Sequence, residues 1–213
     1  MEKVLVAGAN GTTGREIINI LQNHPDYEPV AMIRKEEQSA YFDNKDVKTT
    51  LADLEGDLTE AVKGIDRVIF AAGSGGNTGP DKTTSVDEKG AMHLIDKSKA
   101  AGARKFVMLS AMGTDKPDQV DGLEHYLRAK KTADDHLKAS FLDYSIVKPG
   151  MLTNNEKTNK IKAAEKLNEH GEISRKDVAQ VLVDCLPANM MKNKEFEILS
   201  GDQAIEIALE SLE

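Results

Sequence analysis

Several segments of this chain are apolar at almost every position, where a half-exposed strand would alternate. They include KVLVAG (3–8), PVAMIR (29–34), DRVIFAAG (66–73) and KFVMLS (105–110), and LDYSIVKPG (142–150) follows them. A strand that is apolar on both sides has to be covered on both sides. The stretches between these segments carry a helical period instead. TTGREIINILQNH brings Ile17, Ile18 and Leu21 together. VDEKGAMHLIDKSKAAG (86–102) reads as a helix that repeats Ala91, Leu94, Ile95 and Ala101 at a period near 3.6. HYLRAKKTADDHLKAS (125–140) is a further helix. Doubly buried strands alternating with helices predict an α/β fold, a doubly wound parallel sheet of the Rossmann type.

The weaker segments fill in the order. EEQSAYF and DLTEAVKG (57–64) are expected as short helices, and VKTTLADL (47–54) as a weak strand. After Gly150, MLTNNEKTNKIKAAEKLNEHG is polar and reads as loop or lid. SRKDVAQVLVDCL (174–186) is a helix with a capping box of Ser174 and Asp177, burying Val178, Val181, Leu182 and Cys185. FEILSG (196–201) is a late strand before a short terminal helix. The expectation is one domain over 1–213, with 151–213 forming a small substrate-side lid and C-terminal helices.

Charge narrows the partners. The net charge is -8, with both signs spread along the chain, which disfavours a nucleic-acid backbone. No run approaches the roughly 18 apolar residues of a membrane span. MEKVLVAGAN meets a polar turn too early for a signal peptide, and Cys185 has no second cysteine to pair with. A cytoplasmic protein is expected. The five histidines lack metal-ligand spacing with one another or with cysteine, so no metal is expected. No Gly-x-Ser-x-Gly elbow supplies a hydrolase nucleophile.

VAGANGTTG then gives the first site. Gly8, Gly11 and Gly14 stand between a strand and a helix. In that context Gly8 permits the turn, Gly11 clears space for a pyrophosphate, and Gly14 allows close helix packing. Asn10, Thr12 and Thr13 complete the loop, and the helix N-terminus offers N–H groups to phosphate. The second strand runs into Arg34 and Lys35, where an NAD site usually has an acid. Two cations there suit the 2′-phosphate of NADP, and a solvated turn paired to Glu36 and Glu37 is the alternative. Asp53 and Leu54 can meet the adenine. Ala71, Ala72 and Gly73, within AAGSGG (71–76), leave room for a nicotinamide ribose.

The helix over 125–140 gives the second. Leu123, Tyr126, Lys130, Ala133 and Leu137 form one stripe, so Lys130 lies on the face that meets the sheet. Lys131, Asp134 and Asp135 fall largely off it and read as ordinary. A tyrosine has a pKa of roughly 10, and a nearby cation lowers it. Ser110 ends the fifth strand at the edge where such sheets bind ligands, and could hold a substrate carbonyl beside Tyr126. Lys130 could also bond the nicotinamide ribose. Packing or snorkelling remains the bland reading of both helix residues.

These residues resemble the short-chain dehydrogenase/reductases, in their atypical, small NAD(P)H-binding branch. The resemblance rests on GANGTTG, Arg34, ADL (52–54), AAGSG (71–75), VDEKGAMHLID (86–96), FVMLSAMG (106–113), YLRAK (126–130) and KPG (148–150). It implies NADP in preference to NAD, a catalytic set of Ser110, Tyr126 and Lys130, and Pro149 near the nicotinamide. Two departures stand out. The interval from Ser110 to Tyr126 is long, and Asn77 is out of place for the asparagine of typical members. The implied activity is an oxidoreductase for a small carbonyl, quinone or flavin-like substrate. The alternatives are an NADP-binding sensor without turnover, working through a regulatory partner or a homo-oligomer, and an epimerase-like activity.

Overall fold

The computed structural model describes residues 1–73 and 80–212. Its elements begin with β1 (Glu2–Ala7), α1 (Thr12–Gln22), β2 (Tyr27–Ile33), α2 (Ser39–Asp43), β3 (Lys48–Leu51) and β4 (Arg67–Phe70). A continuous helical rod follows: α3 (Pro80–Lys82), a π-helical stretch (Thr83–Gly90) and α4 (Ala91–Ala100). Next come β5 (Lys105–Leu109), α5 (Glu124–Ala139), β6 (Asp143–Pro149), β7 (Met151–Thr153), β8 (Lys160–Ala164) and β9 (Glu172–Ser174). The chain closes with α6 (Arg175–Asp184), β10 (Lys194–Ser200), β11 (Gln203–Ala204) and α7 (Ile205–Glu210).

The main sheet has the order β11-β8-β10-β6-β5-β4-β1-β2-β3. Every pair from β3 across to β10 is parallel. The continuous apolar runs therefore do what burial on both faces requires. Val4 and Val6 face one core with Ile17, Ile18 and Leu21 of α1 and Val178, Val181 and Leu182 of α6. Leu5 and Ala7 face the other, with Leu94 and Ile95 of α4 and Leu137 of α5. Only the N-cap half of the expected capping box is present: the Ser174 hydroxyl oxygen accepts the Asp177 N–H at 3.0 Å, while the Asp177 carboxylate accepts from the Ser174 hydroxyl at 2.7 Å and from the Asn159 N–H at 2.8 Å.

Four expectations need correction. Residues 57–64 make turns rather than a helix; Asp57 Oδ1 takes the Thr59 N–H, and only scattered backbone bonds follow. Residues 151–171 are not mostly loop. They hold β7, which pairs with β9 in a small parallel sheet, and β8, which runs antiparallel to β10 and makes the main sheet mixed. Ala101 is exposed because α4 has ended at Ala100. Leu123 is exposed too, because it caps α5 from outside, and the buried stripe starts at Leu127.

At the N-terminal edge, two buried cations hold the far end of α6. Arg67 donates to the Leu186 carbonyl at 2.6 Å, and Lys105 to the Pro187 carbonyl at 2.9 Å and to that of Met190. The opposite, C-terminal edge is left to the candidate site.

Candidate functional site

β1 and β4 are neighbours, but the chain leaves β1 towards β2 and β3 before returning to β4. Such a reversal opens a crevice beyond the strand ends. A cavity of about 470 Å³ lies there, within the size of a small-molecule site. Gly8, Asn10, Gly11, Arg34, Asp53, Leu54, Ala71, Ala72 and Gly73 line it. Met32, Gln38, Ala52, Lys82 and Val86 complete the wall.

The glycine loop is as tight as its spacing suggests. Gly8 has φ +83°, and a Cβ there would come 2.6 Å from Ala72 Cα. A Cβ on Gly14 would sit 2.1 Å from the Gly8 carbonyl oxygen, so α1 touches the loop directly. Gly11 is the N-cap of α1, and no side chain caps that end. The N–H groups of its first turn are thus available to an anion. These features fit a dinucleotide pyrophosphate. Asn10 Oδ1 accepts from Arg15, whose guanidinium lies 4.1 Å from the centre of the Tyr41 ring.

Arg34 and Lys35 leave β2 exposed, and neither forms an ion pair with Glu36 or Glu37. Asp53, just beyond the neighbouring strand β3, lines the same cavity, and its Oδ1 accepts from Glu55 N at 3.0 Å. Leu54 is buried against the π-helical stretch; a Cβ on Gly90 would come 2.8 Å from Leu54 Cβ. Thr12, Thr13, Gly14, Lys35, Lys130 and Pro149 lie off this wall. Ser74, Gly75, Gly76 and Asn77, named from the sequence, lie outside the described residues.

Lys130 is buried, as the stripe predicts, with its side chain 4% exposed. Its Nζ lies 3.2 Å from Asp87 Oδ1 and donates to the Leu109 carbonyl at 3.3 Å. The π-helical stretch delivers Asp87, which is fully buried and would meet a Cβ on Gly73 at 3.3 Å. The rings of Phe70 and Tyr126 stand 5.7 and 5.8 Å from the ammonium. Burial pushes the Lys130 pKa down, but Tyr126 and Asp87 outweigh it and hold it above the ordinary lysine value. Lys130 is a charged group locked under the edge of the site, and it does not snorkel. Tyr126 is half-buried one turn earlier, and His125 beside it meets Thr84 Oγ1 at 3.2 Å.

Asp134 is not the ordinary surface residue expected from its place off the stripe. It is 1% exposed, and its Oδ2 accepts from the Ser110 hydroxyl at 2.6 Å. Its Oδ1 has no hydrogen-bond partner among the described residues. Burial raises its carboxyl to about 6, while the Ser110 bond, Lys148 and Lys130 pull the other way. The hydroxyl of Ser110 is therefore directed along α5 towards residue 134. Of the residues that sequence reasoning passed over, Asp134 had a visible signal: it lies four positions beyond a buried lysine. Gln38 and Lys82 had none, since a turn and an ion pair to Glu55 place them.

Near this edge two backbone bonds tie the strands' exits together. Met112 N donates to Pro149 O at 3.0 Å, and Gly150 N to Ile198 O at 3.1 Å. Lys166 bridges Asp115 and buried Glu197 at 2.9 and 2.8 Å, joining the segment after β5 to the one after β8. Among the described residues, no acid, histidine and cysteine cluster could hold a metal, and no helix is long and apolar enough to cross a membrane.

Comparison with known proteins agrees with this geometry. A family profile described as NAD(P)H-binding matches residues 8–189. A Bacillus subtilis protein named "uncharacterized sugar epimerase YhfK" is 41% identical over 99% of this chain and 100% of its own length. A solved structure from Bacillus halodurans, provisionally assigned as an NAD-dependent epimerase/dehydratase, is 42% identical. It superposes with a TM-score of 0.95 over the whole of both chains. The oxidoreductase ylbE from Lactococcus lactis is 29% identical, with a TM-score of 0.88 over 99% of this chain and 96% of its own.

Proposed function

This chain belongs to the NAD(P)H-binding family, and from that premise we propose an NADP-dependent oxidoreductase of the atypical short-chain dehydrogenase/reductase branch. Its substrate is a small carbonyl, quinone or flavin-like molecule. The observation that carries the reading is Arg34, which follows β2 into the cavity wall and has no acidic partner among the described residues. A guanidinium in that position suits a phosphate better than a bare hydroxyl.

The bound dinucleotide would supply the hydride. The chain does the rest. The loop of Gly8, Asn10, Gly11, Thr12, Thr13 and Gly14 holds the pyrophosphate, and Asp53 and Leu54 flank the adenine. Ala71, Ala72, Gly73 and Pro149 leave space at the nicotinamide end. Lys130 steadies the ribose there, Tyr126 is the proton donor to the reduced substrate, and Ser110 orients it. The name of the Lactococcus lactis relative supports oxidoreductase chemistry. That of the Bacillus subtilis relative brings in epimerisation, but much of the chain described beyond Gly150 goes into the main sheet through β10 and β8 and into the core through α6, which leaves a small cap for a sugar nucleotide.

A specific observation favours a second reading, an NADP-binding sensor without turnover. Two of the three catalytic candidates are already engaged inside the protein, Ser110 by Asp134 and Lys130 by Asp87. Loss of NADPH absorbance across a panel of quinones, flavins and aldehydes separates the two. The reductase reading expects turnover with at least one class and a strong loss in Lys130→Ala. Tight NADPH binding with no turnover on the whole panel would favour the sensor. For the cofactor, Arg34→Ala should weaken NADPH by roughly tenfold or more and leave NADH nearly unchanged; equal losses would remove the phosphate argument.

A further inference from the structure

The turn after β2 carries a second specificity element beside Arg34. The side-chain oxygen of Gln38 accepts two backbone bonds, from Arg34 N at 2.9 Å and from Lys35 N at 3.2 Å. An N–H can donate only to an acceptor, so these bonds fix which end of the carboxamide is oxygen. The other end must be NH2, a donor with two hydrogens. It donates to no protein group among the described residues, and Gln38 lines the same cavity as Arg34. The turn thus uses up the acceptor of this side chain and leaves its donor.

We infer that Gln38 is a specificity-determining residue that selects the phosphorylated ribose. Its fixed NH2 and the Arg34 guanidinium together offer only donors to the ligand. This rests on the reading that the cavity takes the adenosine end of NADP. The reasoning turns on how little separates glutamine from glutamate here. A glutamate would accept the same two backbone bonds in the same shape. It would replace a donor with a negative charge, repelling a 2′-phosphate and accepting from a 2′-hydroxyl. Residue 38 is therefore a position where one atom sets the preference without disturbing the turn.

The test is equilibrium binding to the full chain, as wild type, Gln38→Glu and Gln38→Ala. The probes are NADPH and NADH, with 2′,5′-ADP and 5′-AMP as partners that differ only in the 2′-phosphate. In Gln38→Glu, NADPH and 2′,5′-ADP should weaken by about tenfold or more, while NADH and 5′-AMP hold or tighten. Retained NADH binding also certifies that the variant is folded. Should Gln38→Glu bind nothing, Gln38→Ala decides, with a loss of a few-fold expected for the phosphorylated probes only. If the wild type prefers NADPH and both variants keep its NADPH-to-NADH ratio, the role of Gln38 is refuted and the cofactor reading stands. If the wild type itself shows no preference for the phosphorylated probes, the cofactor reading fails, and the inference with it.

Discussion

Asp87→Asn should expose how much the buried ion pair beneath the site matters. The change keeps the shape of the side chain and removes its charge. Lys130, with 4% of its side chain exposed, then keeps the Leu109 carbonyl but loses its carboxylate. Removing one partner of a buried pair costs about 3–5 kcal/mol, because an uncompensated charge stays behind. Domains of 150–250 residues lose about 2–4 °C per kcal/mol, so Tm should fall by roughly 6–20 °C. The sign with pH follows from the direction of each shift. In the wild type the folded pKa of Lys130 is raised. Its contribution is full below the unfolded lysine value and is lost as pH rises through the folded one. In Asp87→Asn burial should dominate and depress that pKa, so the variant should gain stability as pH rises from neutral towards 10. Urea unfolding across that range reads both effects. Because the single variant can approach the whole stability of a domain, Asp87→Asn/Lys130→Met is the companion. With the ammonium gone as well, it should recover to within about 1–2 kcal/mol of wild type. An Asp87→Asn protein within about 1 kcal/mol of wild type, with the same pH profile, would refute a charged, mutually dependent pair.

Three further outcomes are expected. Gly14→Ala forces a Cβ to within 2.1 Å of the Gly8 carbonyl oxygen, so it should cost about 1–3 kcal/mol in thermal unfolding and weaken dinucleotide binding with it. Asp134→Asn should flatten the acid side of the stability profile. The folded carboxyl titrates at about 6 against 3.8 for a free one, so wild-type stability from this group is full below the unfolded value and is lost as pH rises through the folded one. That amounts to roughly 3 kcal/mol removed by neutral pH, and denaturant melts from pH 4 to 7 should show the loss in wild type alone. Lys105→Met removes the donor to the Met190 carbonyl and leaves the Pro187 carbonyl with only the Met190 N–H, and should lower unfolding free energy by about 1–3 kcal/mol while cofactor titrations stay unchanged.

What could be read from the sequence was what is decided locally or by burial on both faces. The glycine loop was legible because φ +83° at Gly8 and the Gly14 contact are backbone demands that no other residue type meets well. Lys130 was legible because its neighbours at helical spacing, Ala133 and Leu137, are buried. β8 was not, because KIKAA buries only Ile161 fully and owes its strand conformation to a long-range antiparallel partner. Residues 57–64 have the right letters for a helix, but the stretch is short and Asp57 takes a local turn bond instead. Asp134 failed for a different reason. A helix wheel assigns a carboxylate to water; its spacing from Lys130 marks the position, but what holds it inside is the Ser110 hydroxyl, placed just after β5.

The grip of Arg67 and Lys105 on the carbonyls of residues 186–190 has a consequence for anyone who re-engineers the chain. It anchors the scaffold from the end opposite the crevice. At the crevice end α6 is held separately, by Asp177 accepting from the Thr158 and Asn159 N–H groups and by Arg175 donating to the Leu152 carbonyl. The Leu186–Met190 connection looks like a convenient place for an insertion or for new termini, but it is the wrong one. A cut there would release two buried cations at once.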